Sequence, residues 1–297
     1  MRIGWVSRGP YEKYLIEKLK PWYNIKSFRS YGEMTNPQQY DVVFIEYAGI
    51  DAIQASKDNL RHLIVRTRGV EVFEGGLNRM NWPGVKWLLA LGNHQLKYFK
   101  KRWVGCKPQN TGVLPHAVLQ EQFQLRTDDE NRHIAVIANI TGRKGTDQIP
   151  EFLLKYPRYK VFQCGEVCKY GYSVKEFIDW RLLRDKTQDR YGYTKHVEFE
   201  KMNHWLGGKT HIWLPTIGES FGRAVLEGMC RGLKPIVRRF PGAEALWPPE
   251  YLYDTIDEIK NILDKPYKRE EYRDWVIDKY GIDKIIKKFE EYVRIDL

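Results

Sequence analysis

Two carboxylates set around a glycine turn, Glu219 and Glu227, are the residues of this chain best placed to do chemistry. They lie in the stretch from Leu214 to Glu244, with Ser220-Phe221-Gly222-Arg223 between them. Ile212-Trp213-Leu214 is an apolar run closed by Pro215, which predicts a strand and its end. Arg223 to Cys230 carries helix formers, with Ala224, Val225, Gly228 and Met229 at i, i+1, i+4, i+5 spacing. Glu219 then falls in the turn, and Glu227 about two turns into the helix. A helix start after Gly222 presents unpaired N–H groups and the positive end of a dipole, which suits a phosphate or another anion. Carboxylates nearby suit the hydroxyls of a sugar. Glutamates near a helix start are more often merely solvated, and spacing alone leaves both readings open.

The wider segment narrows the choice. Pro215-Thr216, Glu219-Ser220-Phe221-Gly222, Glu227-Gly228-Met229, Gly232-Leu233-Lys234-Pro235 and Gly242-Ala243-Glu244 follow one another. In this order they resemble the signature of the family 4 retaining glycosyltransferases of the GT-B class. The resemblance implies an α/β chain of two Rossmann-like doubly wound domains facing each other across a cleft. It also implies transfer of a hexosyl group from a nucleoside diphosphate sugar, UDP- or GDP-linked, to an acceptor hydroxyl, with retention of anomeric configuration.

A second motif precedes the first. His133 to Ala138 reads as a strand, followed by Asn139-Ile140-Thr141-Gly142-Arg143-Lys144-Gly145 and then a helix through Phe152 and Leu153. This is similar to the family motif in which an arginine and a lysine grip the donor diphosphate. Lys144 matches the lysine, and Asn139 stands at the arginine position, so that Arg143 or Arg223 becomes the source of the second positive charge. The resemblance gives Glu219 and Lys144 the catalytic roles and assigns Asn139, Arg143, Lys144, Gly165, Val197, Glu219, Ser220, Phe221, Gly222, Arg223 and Glu227 to the donor. Val197 enters through His196-Val197-Glu198-Phe199, expected as a short strand edging the nucleobase, and Gly165 through the turn Cys164-Gly165-Glu166. Neither a metal nor a cofactor is expected, since His196, His204 and His211 have no paired ligand spacing.

The N-terminal half must supply the partner domain. Arg2 to Val6, Asn24 to Phe28, Val42 to Tyr47, Leu63 to Val65 and Val85 to Leu91 read as strands, with helices at Ala52 to Leu60 and His94 to Trp103. Such alternation predicts a parallel sheet covered on both faces. Gly9, after the first strand, and Arg66 and Arg68, after the fourth, are the expected ligand-facing residues of this domain. Arg66-Thr67-Arg68-Gly69 resembles a family segment in which a histidine stands where this chain has Arg68. The charged run Arg126 to Arg132 reads as a linker. The expected domains are therefore 1–125 for the acceptor and 126–275 for the donor, with a terminal helix, 276–297, crossing back onto the first domain as the family does.

A chain of 297 residues fits two domains. No apolar run approaches a membrane span, and the start lacks a signal-type segment, so the expected location is cytoplasmic, with peripheral contact at the inner membrane face compatible with the charge. Cys106, Cys164, Cys168 and Cys230 read as free thiols. The net charge of +11 calls for anionic partners: a nucleotide sugar, lipid headgroups or nucleic acid. Expected acceptors are a glycan, a lipid or a protein, with DNA as a further candidate. The competing functions are a basic nucleic-acid-binding protein, a glycosyltransferase acting on modified DNA, and a glycoside hydrolase using Glu219 and Glu227 as its acid pair.

Overall fold

The computed structural model describes residues 1–7, 12–68, 76–102, 107–127, 130–169 and 171–294, with Gly76 and Arg102 described by backbone alone. Two compact units emerge, one of Met1–Ala117 with Tyr280–Leu297, the other of Val118–Lys279.

In unit 1 six parallel strands form one sheet: β1 (Arg2–Val6), β2 (Asn24–Phe28), β3 (Val42–Glu46), β4 (Leu63–Arg66), β5 (Trp87–Ala90) and β6 (Asn110–Val113), in the order β2-β1-β3-β4-β5-β6. β3 and β4 are buried at every position, as strands covered on both faces must be. Helices α1 (Lys13–Leu19), α2 (Ile50–Ala55) and α3 (Asn93–Arg102) make the β1–β2, β3–β4 and β5–β6 crossovers.

Unit 2 repeats the plan with β7 (His133–Ile137), β8 (Lys160–Cys164), β9 (Tyr191–Thr194), β10 (His211–Leu214), β11 (Lys234–Arg238) and β12 (Leu252–Tyr253), in the order β12-β11-β10-β7-β8-β9 and again all parallel. Its helices are α4 (Ile149–Lys155), α5 (Tyr172–Arg184), α6 (Phe199–Trp205), α7 (Arg223–Cys230), α8 (Ala243–Leu246), α9 (Ile259–Leu263) and α10 (Arg269–Tyr280). Trp213 anchors the core, its ring tilted against Phe152 at 5.0 Å between centroids and its indole N–H donating to the Tyr253 hydroxyl at 2.7 Å.

The last helix, α11 (Ile282–Val293), belongs to unit 1. Ile282, Ile285, Ile286, Phe289, Tyr292 and Val293 are buried, one face of a 3.6-residue period. Phe289 lies 5.4 Å from Trp5 and 5.5 Å from Phe44, and the Tyr292 hydroxyl bonds both the N–H and the carbonyl of Val113.

Two expectations change in unit 2. The strand expected at His196 to Phe199 lies earlier, as β9, while Phe199 opens α6. Tyr-Gly-Tyr-Thr places Tyr191 and Tyr193 on one face, where they pack on the core and donate to Gln163 Oε1 and the Gly165 carbonyl, both at 2.8 Å. The run from Arg126, read as a linker, starts inside unit 2, which opens at Val118. Arg126 is buried, its N–H donates to the Arg231 carbonyl, and its own carbonyl accepts from Arg269.

In each sheet the chain works outward in one direction and then crosses back, so the strand order reverses between β1 and β3 in unit 1 and between β7 and β10 in unit 2. Open parallel sheets take ligands outside the carboxyl ends of the strands at such points.

Candidate functional site

The loops that follow β7 and β10 carry the charged residues singled out from the sequence. After β7 the chain makes a tight turn at Gly142–Lys144 and passes through Gly145 with φ 65°. A Cβ on Gly145 would stand 2.0 Å from the Pro215 carbonyl oxygen, so only glycine lets this loop lie against the end of β10. The contact is reinforced by the Ile217 N–H donating to the Arg143 carbonyl at 3.1 Å, and by Gln148 donating to the Pro215 carbonyl at 3.2 Å.

This close apposition brings Lys144 Nζ to 2.7 Å from Glu219 Oε2. Glu219 Oε1 accepts from the Ser220 N–H at 2.9 Å, and the Arg143 guanidinium donates to the Gly218 carbonyl at 2.9 Å. Burial pushes the Glu219 carboxyl up, but Lys144, the Ser220 N–H and Arg143 together outweigh it and hold the group below the usual carboxylate range. Glu219 is thus ionised at neutral pH, an acceptor only.

Gly222, at φ 82°, turns the chain into α7. Phe221 is buried beside it. Glu227 stands on the second turn, buried, with its Oε1 receiving Arg223 Nε at 2.9 Å. Burial raises the Glu227 pKa and Arg223 opposes the rise. Arg223 also lies over the Phe199 ring, 5.6 Å from its centroid. Two carboxylates therefore each carry a basic partner, one in the turn before α7 and one on its second turn.

Asn139 and Gly165 build the neighbouring wall. Asn139 Oδ1 accepts from the Glu166 N–H at 2.9 Å, which fixes the turn after β8, and Gly165 is held to glycine there both by φ 147° and by the Ala138 carbonyl oxygen, which a Cβ would meet at 2.3 Å. Val197 is half-buried in the segment between β9 and α6. Sequence reading passed over Glu166, whose Oε1 accepts from the His196 N–H at 3.3 Å, and Gln148. Neither belongs to a spaced pattern, and only the β7–β8 and β7–β10 pairings bring them to this end of the sheet.

Unit 1 differs from expectation. Arg66, expected to face a ligand, is fully buried, with Nε 3.0 Å from Glu46 Oε2 and Nη2 2.8 Å from Glu46 Oε1, and a further ion pair to Glu12. Its position as the last residue of β4, beside Glu46 as the last of β3, pairs the two across the strands. Arg68 is partly exposed, 3.7 Å from Glu46, and His116 Nδ1 lies 2.9 Å from Glu12 Oε1. Gly9 and residues 69–75 of the arginine-rich loop lie outside the described residues.

No family model matches the chain, and no curated protein does. Solved structures do. Sucrose-phosphate synthase from Thermosynechococcus elongatus superposes with a TM-score of 0.84 at 13% identity, covering 98% of each chain. HepE of Anabaena in complex with UDP-glucose gives a TM-score of 0.77 at 13% identity, also over 98% of each chain. The lipopolysaccharide outer core galactosyltransferase WaaB in its apo form gives 0.71 at 12% identity over 99% of each. At such identities the likeness speaks for architecture, and the architecture is the GT-B fold of glycosyltransferases.

Proposed function

We propose that the protein transfers a sugar from a nucleoside diphosphate sugar to an acceptor hydroxyl, with the donor held by unit 2 and acceptor choice lying with unit 1. The observation that carries this reading is the Lys144–Glu219 pair at the β7–β10 reversal, with Arg143 and the α7 start beside it. Cations for a diphosphate and an ionised carboxylate for sugar hydroxyls stand within one cluster. A UDP-sugar is the preferred donor, because the HepE neighbour binds UDP-glucose on the same architecture.

In the proposed reaction the bond from the anomeric carbon to the diphosphate oxygen breaks, and a bond from that carbon to the acceptor oxygen forms. The acceptor proton passes to the leaving diphosphate, so no protein nucleophile is assigned. As the bond stretches, negative charge grows on the diphosphate, and Lys144, Arg143 or Arg223, and the N–H groups opening α7 stabilise it. Glu219 accepts from the sugar hydroxyls and Glu227 from the ribose. Retention of configuration rests on the resemblance of the Glu219 to Glu227 segment to the retaining family. The same carboxylates repel a phosphate backbone, which disfavours the nucleic-acid reading.

The test is a thermal-shift screen with UDP-, GDP- and ADP-sugars on the wild type, Lys144→Ala and Glu219→Ala. One donor should raise the melting midpoint of the wild type and raise that of either variant less. Equal responses from all three proteins would place the donor elsewhere.

A further inference from the structure

Helix α5 is apolar on two faces. Ile178 and Leu182 point into the core of unit 2, as a surface helix requires. Tyr172, Phe177, Trp180 and Leu183 face solvent, at 63%, 39%, 54% and 68% exposure. At about 100° per residue these four project within an arc opposite the core-facing pair. They are four of nine large apolar side chains exposed among the described residues, gathered on a single helix. Singly exposed apolar residues are ordinary, whereas a row of them marks a contact surface.

Basic groups edge the row. The Arg184 guanidinium lies over Trp180, 4.8 Å from the ring centroid, and Arg181 over Phe177 at 5.7 Å. Between Lys169 and Lys195 there are seven lysines and arginines against four aspartates and glutamates. Asp179 is taken up by Lys175, and Asp185 by Arg181 and Arg184, which leaves Glu176 as the carboxylate among the exposed apolar side chains. The whole chain is at +11.

The geometry points to α5 as the face by which the protein docks on a bilayer surface rich in anionic lipid. Tryptophan and tyrosine settle at the headgroup level, phenylalanine and leucine reach the acyl boundary, and arginines beside them meet the lipid phosphates. A net-positive protein gains from the negative surface potential, whereas it is repelled by a second copy of itself, which makes the lipid surface the better occupant. The exposed row faces solvent, although α5 itself packs on the turn at Thr146–Gln148 that follows Lys144, and the proposal stands whether or not the Lys144–Glu219 cluster binds a nucleotide sugar.

The experiment is co-sedimentation of the full chain with vesicles of phosphatidylcholine alone and of phosphatidylcholine with phosphatidylglycerol. It compares the wild type, the double variant Trp180→Ser/Leu183→Ser, and Glu176→Lys. The wild type should partition onto the anionic vesicles and not the neutral ones, with binding that weakens as salt is raised. The double variant should lose tenfold or more in partitioning, and Glu176→Lys should gain severalfold. Because all three positions are solvent-facing, folding is checked by an unchanged melting midpoint. Absence of binding by the wild type, equal binding by the double variant, a shift from dimer to monomer in the double variant, or loss of nucleic-acid binding in place of vesicle binding would each overturn the proposal.

Discussion

Lys144 Nζ lies 2.7 Å from Glu219 Oε2, although the two side chains come from loops following β7 and β10, 75 positions apart. The pair exists because the backbones touch at Gly145 and Pro215, so loop conformation and charge placement are one feature.

Replacing Lys144 with methionine should cost about 1–3 kcal/mol in the ligand-free protein, the penalty of leaving a largely buried carboxylate without its partner. Because the folded-state pKa of Glu219 is depressed, the stability it contributes is present above the ordinary carboxylate range and is lost as pH falls through the depressed value. Urea unfolding should show a constant gap between wild type and Lys144→Met from pH 8 to pH 6, narrowing on further acidification. A gap that widens on acidification contradicts the assignment.

Gly145→Ala and Gly142→Ala form a matched pair. The first must place a Cβ 2.0 Å from a carbonyl oxygen and hold a positive φ, whereas nothing stands within 4 Å of a Cβ at Gly142. The left-handed conformation alone costs about 1–2 kcal/mol. Gly145→Ala should lower the melting midpoint and abolish the donor response, and Gly142→Ala should leave both nearly unchanged.

Phe289→Ala removes the ring that packs on Trp5 and Phe44. A buried aromatic truncated in this way costs about 3–5 kcal/mol. Hydrogen exchange should accelerate in β1 and β3 while the amides of β10 and β11 keep their protection. Uniform loss across both sheets would mean that α11 does more than cover unit 1.

At the strand ends of unit 1, burial raises Glu46 to about 7, with Arg66 pulling it down and Glu12 pushing it up. A raised carboxyl favours the folded state at low pH, and that contribution fades as pH rises through about 7. Exchange protection in β3 and β4 should therefore fall as pH rises from the ordinary 4.5 to about 7, and level off above it, once intrinsic exchange is corrected for. Glu46→Gln, a neutral mimic, should flatten this dependence. An unchanged slope in that variant would contradict the assignment to Glu46.

Periodicity made much of the architecture legible. Arg2–Val6, Asn24–Phe28 and Arg223–Cys230 fall where expected, the first buried from Ile3 to Val6 and the last from Val225 to Cys230, while Asn24–Phe28 is an edge strand with only Ile25 and Phe28 partly covered. β9 was hidden because its strand character lies in two tyrosines within a polar run, and their value appears only when Gln163 and Gly165 receive their hydroxyls. At the site, spacing revealed Glu219, Glu227 and Lys144 but not their mutual contacts. Arg66 illustrates the limit: a loop-edge arginine looks ligand-facing until strand pairing sets Glu46 beside it and Glu12 closes over it.

Calorimetric titration of a UDP-sugar into the wild type and into Lys144→Ala is the most direct test of the central claim, that the β7–β10 strand ends hold an activated sugar by its diphosphate and hydroxyls. A charge-assisted contact contributes about 1.5–3 kcal/mol, so one-site binding to the wild type should weaken about tenfold to a hundredfold in the variant. Undiminished affinity in Lys144→Ala would contradict the account.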